Sequence, residues 1–346
     1  MLDRLSDAQR VGQLLMLELS RQRTAEALDG IAALHAGNVV LNGPGWNGRE
    51  TVTAASARLQ TLAANNGGIG FLIAGNQEGG ARAGLQVFYG QGFSPIPSAL
   101  AQGQLPVPIL EREATTWGRQ MAAAGVNLDL APVMDIVPAN TPSQAIGAYD
   151  REYGHSAARV VAHATAVVRG LTAAGVGATL KHFPSLGHIA GNTDYTQAGI
   201  TDQVTTAESP DVAAYSAGIS AGADFVMISL ATYSRIDPGE PAVFSAPVIS
   251  ELLRHRLNFD GVVVSDDLGV AAALTGVPLA ERAIRFLSAG GDLLIIEQGR
   301  AGAGAVMAAA ILERMGGHPE FRARVLDAAL RVLRAKARLH LLPGCG

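Results

Sequence analysis

Two adjacent carboxylates, Asp266 and Asp267, close the segment Gly261-Val262-Val263-Val264-Ser265. The small and β-branched residues before them read as a strand buried on both faces. A helix-like run over 270–274 follows at once, which places Asp266 at the carboxyl end of the strand, in the turn before a helix. In a parallel α/β protein that is where catalytic groups sit. The alternative is that either Asp only caps the helix, a position Asp favours. Three further polar clusters tell against it. Asn76-Gln77-Glu78-Gly79-Gly80, Asp135 with a loop reaching Arg151, and Lys181-His182-Phe183-Pro184 each follow a strand-like run. A lone Lys-His pair is usually structural and a lone Arg usually solvated. Clusters at the carboxyl ends of four different strands point instead to one shared site. Carboxyl chemistry at Asp266 fits such a site.

The elements that would carry these groups are legible in the hydrophobic pattern. Eight apolar runs, at 11–17, 38–41, 71–74, 127–133, 178–183, 225–229, 262–265 and 293–296, read as strands. Segments of helical composition lie at 50–63, 112–124, 157–174, 210–222, 247–257 and 278–289, with 301–315 and 319–341 after the last strand. Alternation at this spacing predicts a parallel sheet. Eight strands in this length predict a closed (β/α)8 TIM-type barrel, a single domain over 1–346 with no linker. Gly37, Gly125, Gly175, Gly222 and Gly290 stand where helices should end. The first run is ambiguous, since Leu14 to Leu17 equally fit the end of a helix capped by Ser6. The longest loops, 75–104, 138–150 and 185–208, all follow strands, on the side where a barrel keeps its site.

Composition narrows the function. A net charge of −4 lacks the basic excess of a nucleic-acid binder. The only cysteine is Cys345, so an intrachain disulfide and a thiolate zinc cluster are excluded. No apolar run is long enough to span a membrane. Asp3, Arg4, Asp7 and Arg10 within the first ten residues are unlike a signal peptide, so the chain as given is expected in the cytoplasm, or in the envelope or medium if a leader was removed.

Taken together, Lys181-His182-Phe183-Pro184 with Gly187, and Ser265-Asp266-Asp267-Leu268, resemble glycoside hydrolase family 3. Gln77-Glu78-Gly79-Gly80, Ala131-Pro132-Val133-Met134-Asp135 and Arg151-Glu152-Tyr153-Gly154 match further blocks in order. The resemblance covers nearly the whole chain and is nearest the single-domain β-N-acetylglucosaminidase branch. The stretch from Ser185 to Asp194 is most similar to actinobacterial members. It implies a barrel fold, a retaining mechanism with Asp266 as nucleophile, and a sugar held by Lys181, His182 and Arg151. Departures are informative. The family's usual Asp is Asn76 here, which keeps an acceptor for sugar hydroxyls but loses the charge. An Arg is replaced by Ala81 and a Gly by Ser185. The branch's Asp-Ser-His, whose His is the general acid/base, is absent from the loop after the fifth strand. Asn192-Thr193-Asp194-Tyr195-Thr196 stands there, leaving Asp194 and His188 as the titratable candidates.

The expected function is an exo-acting β-glycosidase for a small carbohydrate substrate, in first place β-N-acetylglucosaminides from cell-wall turnover. It needs no metal or organic cofactor, because both steps use carboxyl groups and water. The alternatives are a β-glucosidase or glycoside phosphorylase on the same barrel, and a catalytically weakened carbohydrate-binding barrel suggested by Asn76, Ala81 and the missing His. Fold alone does not choose between them, and the sequence is silent on oligomeric state.

Overall fold

A computed structural model describes residues 1–80, 84–297 and 302–343, apart from the side chain of Asn65. Ala81, Cys345 and the predicted helix start at Ala301 lie outside the described residues. Eight strands form one parallel sheet: β1 Leu15–Ser20, β2 Asn38–Asn42, β3 Leu72–Gly75, β4 Leu128–Asp129, β5 Gly177–Phe183, β6 Phe225–Ile228, β7 Val262–Ser265 and β8 Leu294–Ile296. Hydrogen-bonded neighbours run β7-β6-β5-β4-β3-β2-β1-β8. A parallel bridge between Val264 and Leu293 joins the two ends, so the sheet closes into a barrel. Every residue of β3, β5, β6, β7 and β8 is buried. That is why these runs read as continuously apolar: helices cover the outside while side chains fill the inside. No helix among the described residues is long and apolar enough to cross a membrane.

Local chemistry explains where the elements begin and end. Ser6 caps the helix Asp7–Gly12 through a capping box with Gln9. The ambiguous first run therefore divides, its start helical and β1 shifted four residues toward Ser20. The helix Thr24–Ala33 went unforeseen because only Leu28 and Ile31 of it are buried, too sparse an apolar stripe to register. β4 is shorter than its apolar run, since Pro132 has no N–H to continue the ladder and the pairing beyond Asp129 is irregular. Gly125, Gly175, Gly222 and Gly290 do adopt the left-handed conformation at helix ends. Gly37 does not; a Cβ there would sit 2.7 Å from the Gln13 amide, so close packing is its requirement.

The predicted helix at 270–274 is absent, and only the 3-10 turn Ala272–Leu274 forms. The reason is where its N–H groups go. Gly269, Val270 and Ala271 donate to the Asp267 carboxylate. Ala272 and Ala273 donate across to the carbonyls of Asp194 and Thr193. Those donors are therefore withdrawn from the i→i−4 pattern a helix needs.

Candidate active site

Because all eight strands are parallel, their carboxyl ends share one rim. There lies a cavity of about 310 Å³ lined by Asn42, Asn76, Lys181, His182, Asp266 and Glu297 from the ends of five strands, together with Arg151 and Asp194 from loops. Of the candidate catalytic and sugar-binding residues, the structure thus brings together all but His188.

Asp266 and Asp267 have different surroundings despite being neighbours. Asp267 is buried, and its two oxygens accept four backbone N–H groups, from Gly269, Glu297, Val270 and Ala271, at 2.7–2.9 Å. It is a fixed acceptor that ties the end of β7 to the end of β8. Asp266 accepts only the Asp267 N–H at 2.9 Å and is half-exposed to the cavity, so its remaining lone pairs face whatever enters.

β5 supplies the cationic side. Consecutive strand residues normally point to opposite faces. Here the β5–β6 register shifts between Leu180 and Phe183, and both Lys181 and His182 line the cavity. The His182 Nδ1–H donates to Asp135 Oδ2 at 2.8 Å, and Asp135 is held in turn by the Leu186 N–H at 2.7 Å. A carboxylate at Nδ1 fixes the proton there and leaves Nε2 as the free ring nitrogen. Lys181 Nζ lies 2.5 Å from Glu78 Oε1 and 3.0 Å from Asn76 Oδ1. Arg151 grips Glu78 with two bonds of 2.8 Å and gives a third to the Ala145 carbonyl at 2.9 Å. Burial would raise the Glu78 pKa, but the charges of Arg151 and Lys181 outweigh it and hold the carboxyl well below its usual range. Glu78 therefore anchors both cations. The Asn76 oxygen that was expected to accept from a sugar already accepts from Lys181, so one lone pair and the amide N–H groups are what remain for a ligand.

Asp194 sits on the loop after β5, docked on the loop after β7. The Ala272 and Ala273 N–H groups bond the Asp194 and Thr193 carbonyls at 3.1 and 2.9 Å, and Gln197 Nε2 bonds the Thr275 carbonyl at 3.0 Å. The loop thus folds over the end of β7. Crowding by surrounding protein atoms, and then the charge of Asp266, push the Asp194 pKa up to about 6. The residue is exposed at the cavity mouth, so water weakens this push until a ligand excludes it. His188 lies outside the cavity, its Nε2 3.4 Å from Asp211 Oδ1, and that partner raises its pKa. It was expected near the site because it shares the loop; the chain instead turns it toward the helix Pro210–Ser220.

The sequence reading missed three supporting groups. Glu78 and Asp135 were noticed only as members of polar clusters. Glu297 was not noticed at all, although it follows β8 directly and the strand-end argument applied to Asp266 covers it equally. Burial, then Asp267, push its pKa up to about 8, and Asn42 Nδ2 donates to its Oε1 at 2.9 Å. The cavity therefore holds one carboxylate open to a ligand, three carboxyl groups with raised pKa values (Asp194, Glu297 and the backbone-bonded Asp267) and a cationic wall. Nucleophilic attack, proton transfer and binding of several oxygens are all within its chemistry. Among the described residues no cluster of three or more His, Cys, Asp or Glu side chains is arranged to hold a metal ion.

Comparison with known proteins bears on the chain as a whole. Residues 7–335 match the profile described as the glycosyl hydrolase family 3 N terminal domain. A curated β-hexosaminidase of Xylella fastidiosa strain M23 is 35% identical over 280 residues, 79% of each chain. The crystal structure of β-N-acetylhexosaminidase from Beutenbergia cavernae superposes with a TM-score of 0.91 at 45% identity, covering 96% of this chain and 98% of that one. A family 3 β-N-acetylglucosaminidase from Paenibacillus sp. FPU-7 gives 0.85 at 28% identity, covering 97% of this chain and 63% of the other.

Proposed function

Since the chain belongs to glycosyl hydrolase family 3, we propose that it is an exo-acting β-N-acetylhexosaminidase that works with retention through Asp266 and Asp194. The single observation that carries this reading is the loop bearing Asp194, pinned so that this carboxyl faces the same cavity as Asp266 and feels its charge. Ionised Asp266 attacks the anomeric carbon while protonated Asp194 gives its proton to the glycosidic oxygen. The aglycone leaves as an alcohol, and the sugar remains as an ester on Asp266. That ester carries no charge, so the repulsion that kept the proton on Asp194 is gone. Asp194 is then the base that takes a proton from water as water attacks the ester, and both groups return to their starting states. Lys181, His182 and Arg151 hold the sugar oxygens, with the Asn76 amide beside them. The relatives' names support N-acetylhexosamine as the sugar, and cell-wall glycosides are the proposed source.

The test uses nitrophenyl glycosides of N-acetylglucosamine and glucose, each with and without phosphate, with the first-formed anomer followed by NMR. Preference for the N-acetylglucosaminide, β-anomer first and no sugar phosphate is the expected result. An α-anomer would refute retention, a sugar phosphate would make the protein a phosphorylase, and binding without turnover would reduce it to a carbohydrate-binding barrel.

A further inference from the structure

Among the described residues six large apolar side chains are exposed, and two of them, Tyr195 and Val270, line the candidate active-site cavity. Tyr195 is 75% exposed, more than any of the others. Scattered exposed apolar residues are ordinary. An aromatic ring held outward at the mouth of a cavity is not, because three quarters of its surface is left to solvent. The backbone that carries the ring is held in place. The Tyr195 and Thr196 N–H groups both bond the Asn192 carbonyl at 3.0 Å, and the Asp194 N–H bonds Asn192 Oδ1 at 2.9 Å. Val270 is fixed from the other loop by its N–H to Asp267 Oδ2 at 2.7 Å. The two loops are joined through Ala272 and Ala273. Tyr195 and Val270 thus form a fixed apolar rim next to the carboxyl assigned to the glycosidic oxygen.

What lies beyond that oxygen is the aglycone. The sugar on the other side belongs deeper, among Lys181, His182 and Arg151. We propose that Tyr195, with Val270 beside it, is the platform on which the aglycone rests, and that it favours aglycones which are themselves sugar rings. A pyranose presents one face of C–H groups, which suits an aromatic ring. A Tyr side chain offers that area with few rotatable bonds to freeze. Neither rim residue brings charge, so the platform selects for shape and apolar face. This inference rests on the assignment of Asp194 and Asp266 above.

The test compares two substrates that form the same glycosyl-enzyme. One is N,N′-diacetylchitobiose, whose aglycone is a sugar. The other is β-N-acetylglucosaminyl azide, whose leaving group is too small to reach the rim and needs no proton. The readout is the ratio of kcat/KM for disaccharide to kcat/KM for azide. Tyr195→Ala should lower the ratio about tenfold, mostly through KM, while Tyr195→Phe should hold it within about twofold. A ratio unmoved in Tyr195→Ala overturns the platform and leaves the function standing. Parallel loss on both substrates also overturns it, since Tyr195 would then only shape the Asp194 loop. If the parent protein hydrolyses neither substrate, the assignment of the site and the platform fall together.

Discussion

Removing the Asp194 carboxyl, as Asp194→Ala, tests the part of the mechanism that the sequence left open. With a pKa near 6, about one molecule in ten holds this proton at pH 7, against fewer than about one in a thousand for a carboxyl at 3.8. Crowding and the Asp266 charge thus raise the supply of acid by up to about a hundredfold at neutral pH, the full gain coming once a ligand has excluded water. General acid catalysis is worth about 10²–10⁴-fold where the leaving group needs a proton. A sugar alcohol needs one and nitrophenolate does not. Asp194→Ala should therefore lose about 10²–10⁴-fold on a disaccharide while the first step with a nitrophenyl glycoside is nearly spared. Deglycosylation then limits, and added azide should restore it, because that anion needs no base. In the parent, kcat/KM for the disaccharide, which reports the free enzyme, should fall tenfold per pH unit above a limb lying between 3.8 and about 6, and Asp194→Ala should lose that limb. Glu297 is the rival, and the position of the limb separates the two, because a Glu297 acid would place it near 8. Equal loss on both substrates without azide rescue, or a limb near 8 abolished by Glu297→Gln, would refute the assignment to Asp194. In a sugar-bound crystal structure the two carboxyl groups should stand about 5–5.5 Å apart.

Other expectations follow from the same geometry. Asp266→Asn should abolish turnover with an unchanged melting temperature. Asp267→Asn should lower stability by roughly 2–4 kcal/mol in denaturant titrations, because its amide faces backbone N–H donors it cannot accept; an inactive but fully stable Asp267→Asn would reverse the two roles. Lys181→Ala should cost roughly 2–4 kcal/mol in kcat/KM, about one or two charge-assisted hydrogen bonds, and an unaltered value removes Lys181 from the site. Lys336 is fully buried, bonded to Gln13 Oε1 and the Gly37 carbonyl, and burial holds its pKa well below 10.5. Between that lowered value and 10.5 the unfolded chain binds the extra proton, so this group makes stability rise with pH by up to about 1.4 kcal/mol per unit. Urea titrations at pH 8, 9 and 10 should show the rise in the parent and not in Lys336→Met; identical slopes would show that Lys336 keeps its charge in the fold.

The sequence by itself determined the barrel, because burial on both faces leaves a strand no choice but to be apolar, and eight such runs with helical segments between them have few ways to pack. It also pointed to the rim on which the candidate site residues gather. A polar residue in the last residues of a buried strand or directly after it has only the carboxyl end to occupy, so Asp266, Lys181 and His182 were legible together. Tertiary structure decided what those groups do to one another. Glu78 claims Arg151, 73 residues away, and Lys181, 103 residues away in the chain, and no local pattern encodes that pairing. Asp194 and His188 are six positions apart on one loop, and composition could not choose between them. The choice came from the N–H groups of Ala272 and Ala273. Denied a helix by the Asp267 carboxylate, they reach across and hold Asp194 over the site, while His188 turns to Asp211. Charge and solvation act through space, so a carboxyl's pKa belongs to its neighbours in the fold rather than to its neighbours in the chain.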